Sequence, residues 1–361
     1  MSIALYRYLC QHIVGSEDHV KQIRLMNAVR DNLHSDKKET IITSGSFGEG
    51  LDMRGSDLDI MTVSRTIEVY DNIKPFFSPS ITYFSMKKED VKPGFTQLKL
   101  NYSSQQSLLK QCEEQNGKHY LSSTLYKQRK INESSDCLTK SLPMIHGPCI
   151  SDPEGSSDLA FCLHCNTWVS PAHQWITRSN NSWPSYNVKQ CIIKHGVLFV
   201  PIGVKGSPKE DLEWRVSFSV GEKFLINTFT HTQLLCYALL KIILKDVIAT
   251  FSECEDLLCS YFLKTIVFWI SEEVPQSLHC QRRVQQIPRT CLFIILVPLI
   301  TIATHPSQPL PQSGSDSIHQ PLPLLPRLPA VNIQMPRPAA EAVDLGNLTA
   351  QKTVNPTKSN C

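Results

Sequence analysis

The chain has 361 residues, with 36 Lys and Arg against 33 Asp and Glu, a formal net charge of +3. That near balance excludes a polybasic tail as the whole basis of function, and 41% hydrophobic with 19% charged residues excludes a chain without a core. The length suits two compact lobes, and thirteen Cys without a small-domain framework point to reduced thiols in a cytoplasmic or nuclear setting.

The opening stretch MSIALYRYLCQHIV holds Arg7 and His12 within its apolar residues and has no small-residue cleavage pattern, which argues against a secretory leader. In SEDHVKQIRLMNAVRDNL, Ser16 is an expected N-cap, and Val20, Ile23, Met26 and Leu33 are expected near one helical face. The β-branched runs ETIITSG, SDLDIMTV, SSDLAFCLHC, HGVLFVPIG and LEWRVSFSV read as strands. His231–Ala249 and DLLCSYFLKTIVFWISEE read as helices. Strands in the first half and helices in the second predict an α/β (α+β) architecture of two lobes, with a sheet lobe over residues 1–222 and a short helical lobe over 223–277. Within the divergent segment 278–304, Cys291–Ala303 is apolar but is broken by Pro298 and is shorter than the ~18–20 residues of a membrane span. It reads as a buried strand or helix, so no membrane partner is expected. From His305 onward, ten Pro in 57 residues predict a disordered Pro-rich tail.

The chemistry concentrates in Ile41–Val63, IITSGSFGEGLDMRGSDLDIMTV. Gly45-Ser46 follows a short apolar strand and opens a turn, where a glycine lets backbone approach a ligand and the Ser46 hydroxyl with nearby N–H groups can grip phosphate oxygens. Asp57 and Asp59 flank Leu58 on the next strand, so both carboxylates face one side while Leu58 and Ile60 face a core. Two adjacent carboxylates repel, and a divalent cation is the usual compensation. An acid pair on a strand also suits a plain solvated face. The Gly-Ser turn at this distance before it favours a phosphate-and-metal site instead.

In LEWRVSFSVGEK, alternation puts Arg215, Ser217 and Ser219 on one face of a strand and Trp214, Val216, Phe218 and Val220 on the other. The apolar face is buried, and solvent is the default neighbour of the polar one. Cys162 and Cys165 form a single C-x-x-C without a second pair and fall on opposite faces of a strand, so they read as core thiols and no structural zinc is expected.

The segment Ile41–Val63 resembles the signature of nucleotidyltransferases of the DNA-polymerase-beta type. Its longer context, over about residues 5–277, is similar to the cyclic GMP-AMP synthase-like branch and, within it, the male-abnormal-21-like family. The resemblance implies a two-lobe nucleotidyltransferase fold and a third metal-binding acid at Asp158 in SSDLAFCLHC. It also implies two Mg²⁺ or Mn²⁺ ions held by Asp57, Asp59 and Asp158, with ATP and/or GTP as substrates. Arg215, Ser217 and Ser219 would line the nucleotide cleft with Gly45 and Ser46, Lys241 would contact phosphate, and Ser260 and Tyr261 would supply a hydroxyl and a base-stacking ring. The implied activity is cyclic-dinucleotide synthesis as an innate-immune sensor, switched by double-stranded RNA or DNA. The alternative is a catalytically silent nucleotide-binding or interaction protein of the same family.

Overall fold

The computed structural model describes residues 3–53, 55–71, 76–103, 105–135, 144–152, 154–178, 183–247 and 260–273. The ends of the two expected C-terminal helices (248–249 and 256–259), the apolar segment 278–304 and the Pro-rich stretch 305–361 lie outside these described residues.

Helices α1 (Ile3–His12) and α2 (Glu17–His34) come first. Ser16 caps α2 as expected, its side chain accepting a hydrogen bond from the His19 N–H at 3.2 Å, with Glu17 and Asp18 in the first turn where the helix dipole favours acids. The expected apolar face is only half realised. Val20, Ile23 and Asn27 are buried, whereas Met26 and Leu33 are 70% and 77% exposed. At about 100° per residue, Met26 and Leu33 lie roughly 120° and 140° around the helix from Val20, so one face cannot hold all four.

The strands are β1 (Glu39–Thr43), β2 (Leu58–Tyr70), β3 (Thr82–Lys87), β4 (Phe95–Tyr102), β5 (Cys112–Gln115), β6 (Lys118–Leu121), β7 (Met144–His146), β8 (Cys149–Ser151), β9 (Ser157–Cys165), β10 (Val197–Val200) and β11 (Glu213–Ser217). They form one sheet in the order β1-β2-β3-β4-β11-β10-β9-β8-β7, with the β5–β6 hairpin attached through β4. Strand β2 also pairs in parallel with β9, so the pairings from β2 through β3, β4, β11, β10 and β9 return to β2 in a closed circuit. The remaining helices are α3 (Gly45–Gly48), α4 (Gln106–Leu109), α5 (Ser123–Ser135), α6 (His173–Thr177), α7 (Tyr186–His195), α8 (Ser219–Asn227), α9 (His231–Ile242) and α10 (Ser260–Glu273). Helix α9 starts with a reciprocal Thr230–Gln233 capping box and continues as a π-helical turn over Ile243–Val247.

The LEWRVSFSV run departs from expectation at its end. Strand β11 stops at Ser217, whose hydroxyl accepts from the Ser219 N–H at 3.4 Å, and Ser219 and Val220 belong to α8. A serine hydroxyl offered to the backbone two residues on favours a turn over continued ladder pairing.

Two apolar clusters sandwich the sheet. On one side lie Phe84, Leu98, Leu121, Phe161, Leu163, Phe199 and Trp214; on the other lie Met61, Val63, Ala160, Cys162, Leu198 and Val200. A third cluster joins Leu9 and Val14 at the N-terminal end to Leu235, Tyr237, Leu263 and Val267 of α9 and α10. Trp214 is fully buried, meets the Tyr126 ring edge-on at 5.3 Å and donates its indole N–H to the Leu121 carbonyl at 2.9 Å. Trp214→Ala should therefore cost about 3–5 kcal/mol in urea denaturation, while an exposed control such as Tyr186→Ala should stay within about 0.5 kcal/mol.

His195, at the end of α7, lies 5.0 Å from the His164 ring, and its Nε2 is buried without a hydrogen-bond partner among the described residues. Burial, reinforced by His164, pushes its pKa from 6.5 down to about 4. Between those two values the unfolded chain holds more protons than the folded one, so stability present above pH 6.5 is lost as pH falls toward 4. Denaturation midpoints taken across that range should fall less steeply in His195→Gln than in the wild type.

Candidate functional site

The site is organised by the parallel register of β2 on β9, which sets Asp59 directly beside Asp158. Adjacent strands run about 4.8 Å apart, so same-side carboxylates at one register position are close neighbours. Asp57, two residues upstream and just before β2 begins, adds a third. One oxygen of each of Asp57, Asp59 and Asp158 lies within 4.8 Å of the others, with Asp57 exposed and the other two half-buried. This is the convergence expected for Asp158. Burial first, and then repulsion from Asp57 and Asp158, raises the Asp59 pKa to about 6, against the pull of Lys241 and Lys264. The Ser151 hydroxyl donates to Asp158 Oδ1 at 2.5 Å, and His146 Nδ1 is 3.8 Å from Oδ2. Three crowded carboxylates form a hard-oxygen donor set of the kind Mg²⁺ or Mn²⁺ prefers.

The floor under the carboxylates differs from expectation. Leu58 and Ile60 are only half-buried, and the buried residues are Met61 and Val63, which share the Asp59 side of β2 and pack with Ala160, Cys162, Leu198 and Val200.

The Gly-Ser turn abuts this cluster. The Ser44 N–H donates to the Asp59 carbonyl at 2.8 Å, leading into the short helical turn α3. Gly45 has φ +60°, and a Cβ there would lie 1.6 Å from Asp59 Oδ2, so both conformation and space require glycine. Helix α2 holds the turn from behind. Asn27 Nδ2 donates to the Phe47 carbonyl and Arg24 Nε to the Glu49 carbonyl, each at 2.9 Å. From α9, Lys241 Nζ donates to Ser46 Oγ, and burial lowers the lysine's pKa. Lys241, Ser46, Gly45 and the three aspartates are thus brought together.

Arg215 lies half-buried on the carboxylate side of the sheet, opposite Trp214 and Val216, and has no ion pair among the described residues. Burial lowers its pKa, with Cys149, Tyr261, Cys162 and Glu222 as its charged or ionisable surroundings. Ser217 is half-buried beside Ser219, and the Ser219 hydroxyl lies 3.1 Å from Met61 Sδ beneath the carboxylates. Tyr261, 39% exposed, is on the first turn of α10. Ser260 begins that helix, with its side chain outside the described residues. Cys162 and Cys165 are buried in the clusters on opposite sides of the sheet, so they cannot share an ion.

An ion triad beside the turn was not anticipated from the sequence. Lys264 Nζ on α10 lies 2.6 Å from Glu49 Oε1 and 3.1 Å from Glu222 Oε2, with the three side chains 16%, 5% and 15% exposed. The two carboxylates outweigh desolvation and hold the lysine pKa well above its ordinary value. The available signals were positional: Glu49 closes the turn four residues after Gly45, and Lys264 follows Tyr261 by three on an amphipathic helix.

Residues 78–228 match the family model described as the Mab-21 protein nucleotidyltransferase domain. Those residues thus carry a Mab-21 nucleotidyltransferase domain, consistent with the Mab-21-like resemblance. The match takes in Asp158, Arg215, Ser217 and Ser219 but begins after Asp59, so the Gly-Ser turn and the first acid pair lie outside the matched residues and meet them through the β2–β9 register. The Mab-21 nucleotidyltransferase fold is mixed α/β, as the order of strands and helices implied. Among the described residues, no helix is long and apolar enough to cross a membrane. In the triad, Lys264→Met should cost about 3–5 kcal/mol because it strands two buried carboxylates, and Glu49→Gln, which leaves Lys264 its Glu222 partner, should cost less. The double variant should lose clearly less than the sum, which a double-mutant cycle by chemical denaturation measures.

Proposed function

We propose that this Mab-21 domain is a metal-dependent nucleotidyltransferase that joins nucleoside triphosphates, with a cyclic dinucleotide as product and innate-immune nucleic-acid sensing as its setting. The observation that carries the reading is the convergence of Asp57, Asp59 and Asp158 within 4.8 Å beside the Gly45-Ser46 turn. Asp57, Asp59 and Asp158 would hold two Mg²⁺ or Mn²⁺ ions, which when bound neutralise phosphate charge and lower the pKa of an attacking hydroxyl.

The chain's own residues bind and orient. Ser46 and Lys241, already in hydrogen-bond contact, form a donor pair for the phosphate oxygens of a triphosphate, and Arg215 adds a half-buried cation that makes no ion pair among the described residues. Tyr261 offers a ring face for base stacking. The reaction is attack of a ribose hydroxyl oxygen on an α-phosphorus: an O–P bond forms, the bond to the departing pyrophosphate breaks, and the hydroxyl proton passes to water. Positioning and preorganised charge do most of this work, and a sheet-borne site lined by Met61, Val63 and Cys162 keeps those charges fixed.

The test is incubation of the full chain with ATP, GTP and Mn²⁺, with and without double-stranded RNA or DNA, followed by chromatographic detection of pyrophosphate and linked nucleotide. Asp57→Asn, Asp59→Asn and Asp158→Asn should each lower turnover on the order of 10²–10³-fold. Nucleotide-dependent thermal stabilisation without product under any activator would assign the silent nucleotide-binding role instead.

A further inference from the structure

Helix α2 buries Val20 and Ile23 together with a set of polar anchors. Arg24 donates to the carbonyls of Glu49, Ile226 and Asn227, Arg30 donates to Asn27 Oδ1 and Thr43 Oγ1, and Asp31 accepts from Thr43. The outward side is apolar. Leu25, Met26, Val29 and Leu33 are 65%, 70%, 50% and 77% exposed, the reverse of an ordinary solvated helix. Positions 26, 29 and 33 follow the alternating three-and-four spacing of a helix-pairing seam, and a contiguous exposed apolar stripe of this kind marks a partner surface.

We propose that this face pairs with the same face of a second copy of the chain, as an antiparallel two-fold helix pair centred between Met26 and Val29. Such a contact is isologous: Met26 of each copy lies against Val29 of the other, and Leu33 against Gln22. The charge pattern selects this direction. Exposed Glu17 and Asp18 at the start of α2 come against the end of the second helix, where exposed Lys37 and Lys38 follow its last turn. A parallel pair would set acid on acid and base on base. At roughly 120 Å² for each side chain this exposed, the four supply on the order of 500 Å² per copy, and two copies reach the ~1,000 Å² that a specific interface needs. Nucleic acid suits the face poorly, because Arg24 and Arg30 point inward.

Sedimentation of the full chain at micromolar concentrations tests the assignment. A concentration-dependent dimer is expected. Met26→Asp with Val29→Asp should weaken it ~100-fold or more with the thermal midpoint unchanged. Reversing Glu17 and Asp18 to Lys should also weaken it, and adding Lys37→Glu with Lys38→Glu should restore it. Monomeric wild-type protein throughout that range, a dimer indifferent to the Met26 and Val29 changes, or a charge-reversal loss that the swap leaves unrestored would each overturn the proposal. So would loss of double-stranded RNA binding in the Met26 and Val29 variant without any change in mass.

Discussion

The parallel register of β2 on β9 is the constraint on which the rest of the site depends. It sets Asp59 beside Asp158 and brings Asp57 within reach, crowding three acids at the end of a closed circuit of strands. Burial first, and then repulsion from Asp57 and Asp158, pushes the Asp59 carboxyl up to about 6. A strand pairing one residue out of step would turn one of these carboxylates to the opposite side of the sheet and dissolve the cluster. The apolar residues on the same side, Met61, Val63, Ala160 and Cys162, therefore do two things at once. They bury one face of the sheet and they fix the register that juxtaposes the acids.

Around this cluster the positive charge is arranged by helices rather than strands. Lys241 reaches Ser46 from α9, and Lys264 from α10 lies between Glu49, at the end of the Gly-Ser turn, and Glu222 on α8. The turn is thereby tied to α10 by a buried ion pair and to α2 by hydrogen bonds from Asn27 and Arg24. Buried pairs of this kind add little net stability over an apolar substitute, but they tolerate no half-measure, since either partner alone is a stranded charge. That property suits a loop whose backbone must stay within contact of Asp59.

Much of the sheet was legible because its signals are local. Alternation in LEWRVS correctly separates buried Trp214 and Val216 from half-buried Arg215 and Ser217, and Ser16 caps α2 as its chemistry predicts. The misreadings occurred where a local signal competes with another. Ser217 offers its hydroxyl to the backbone and ends the strand, and apolar residues on α2 do not all share the face that polar anchors bury. Glu49, Lys264 and Glu222 carry no recognisable pattern together, because they are 215 and 173 positions from first to second and from first to third.

The amino-acid order alone determined the acid pair Asp57 and Asp59, the glycine-requiring turn before it, and the alternating faces of the strands, since each follows from contacts within a few residues. The tertiary structure decided which distant carboxylate completes the cluster, which lysine meets Ser46, and which side of α2 is covered. Those outcomes depend on strand register and helix docking, which are selected by the summed burial of many side chains and are written at no single position.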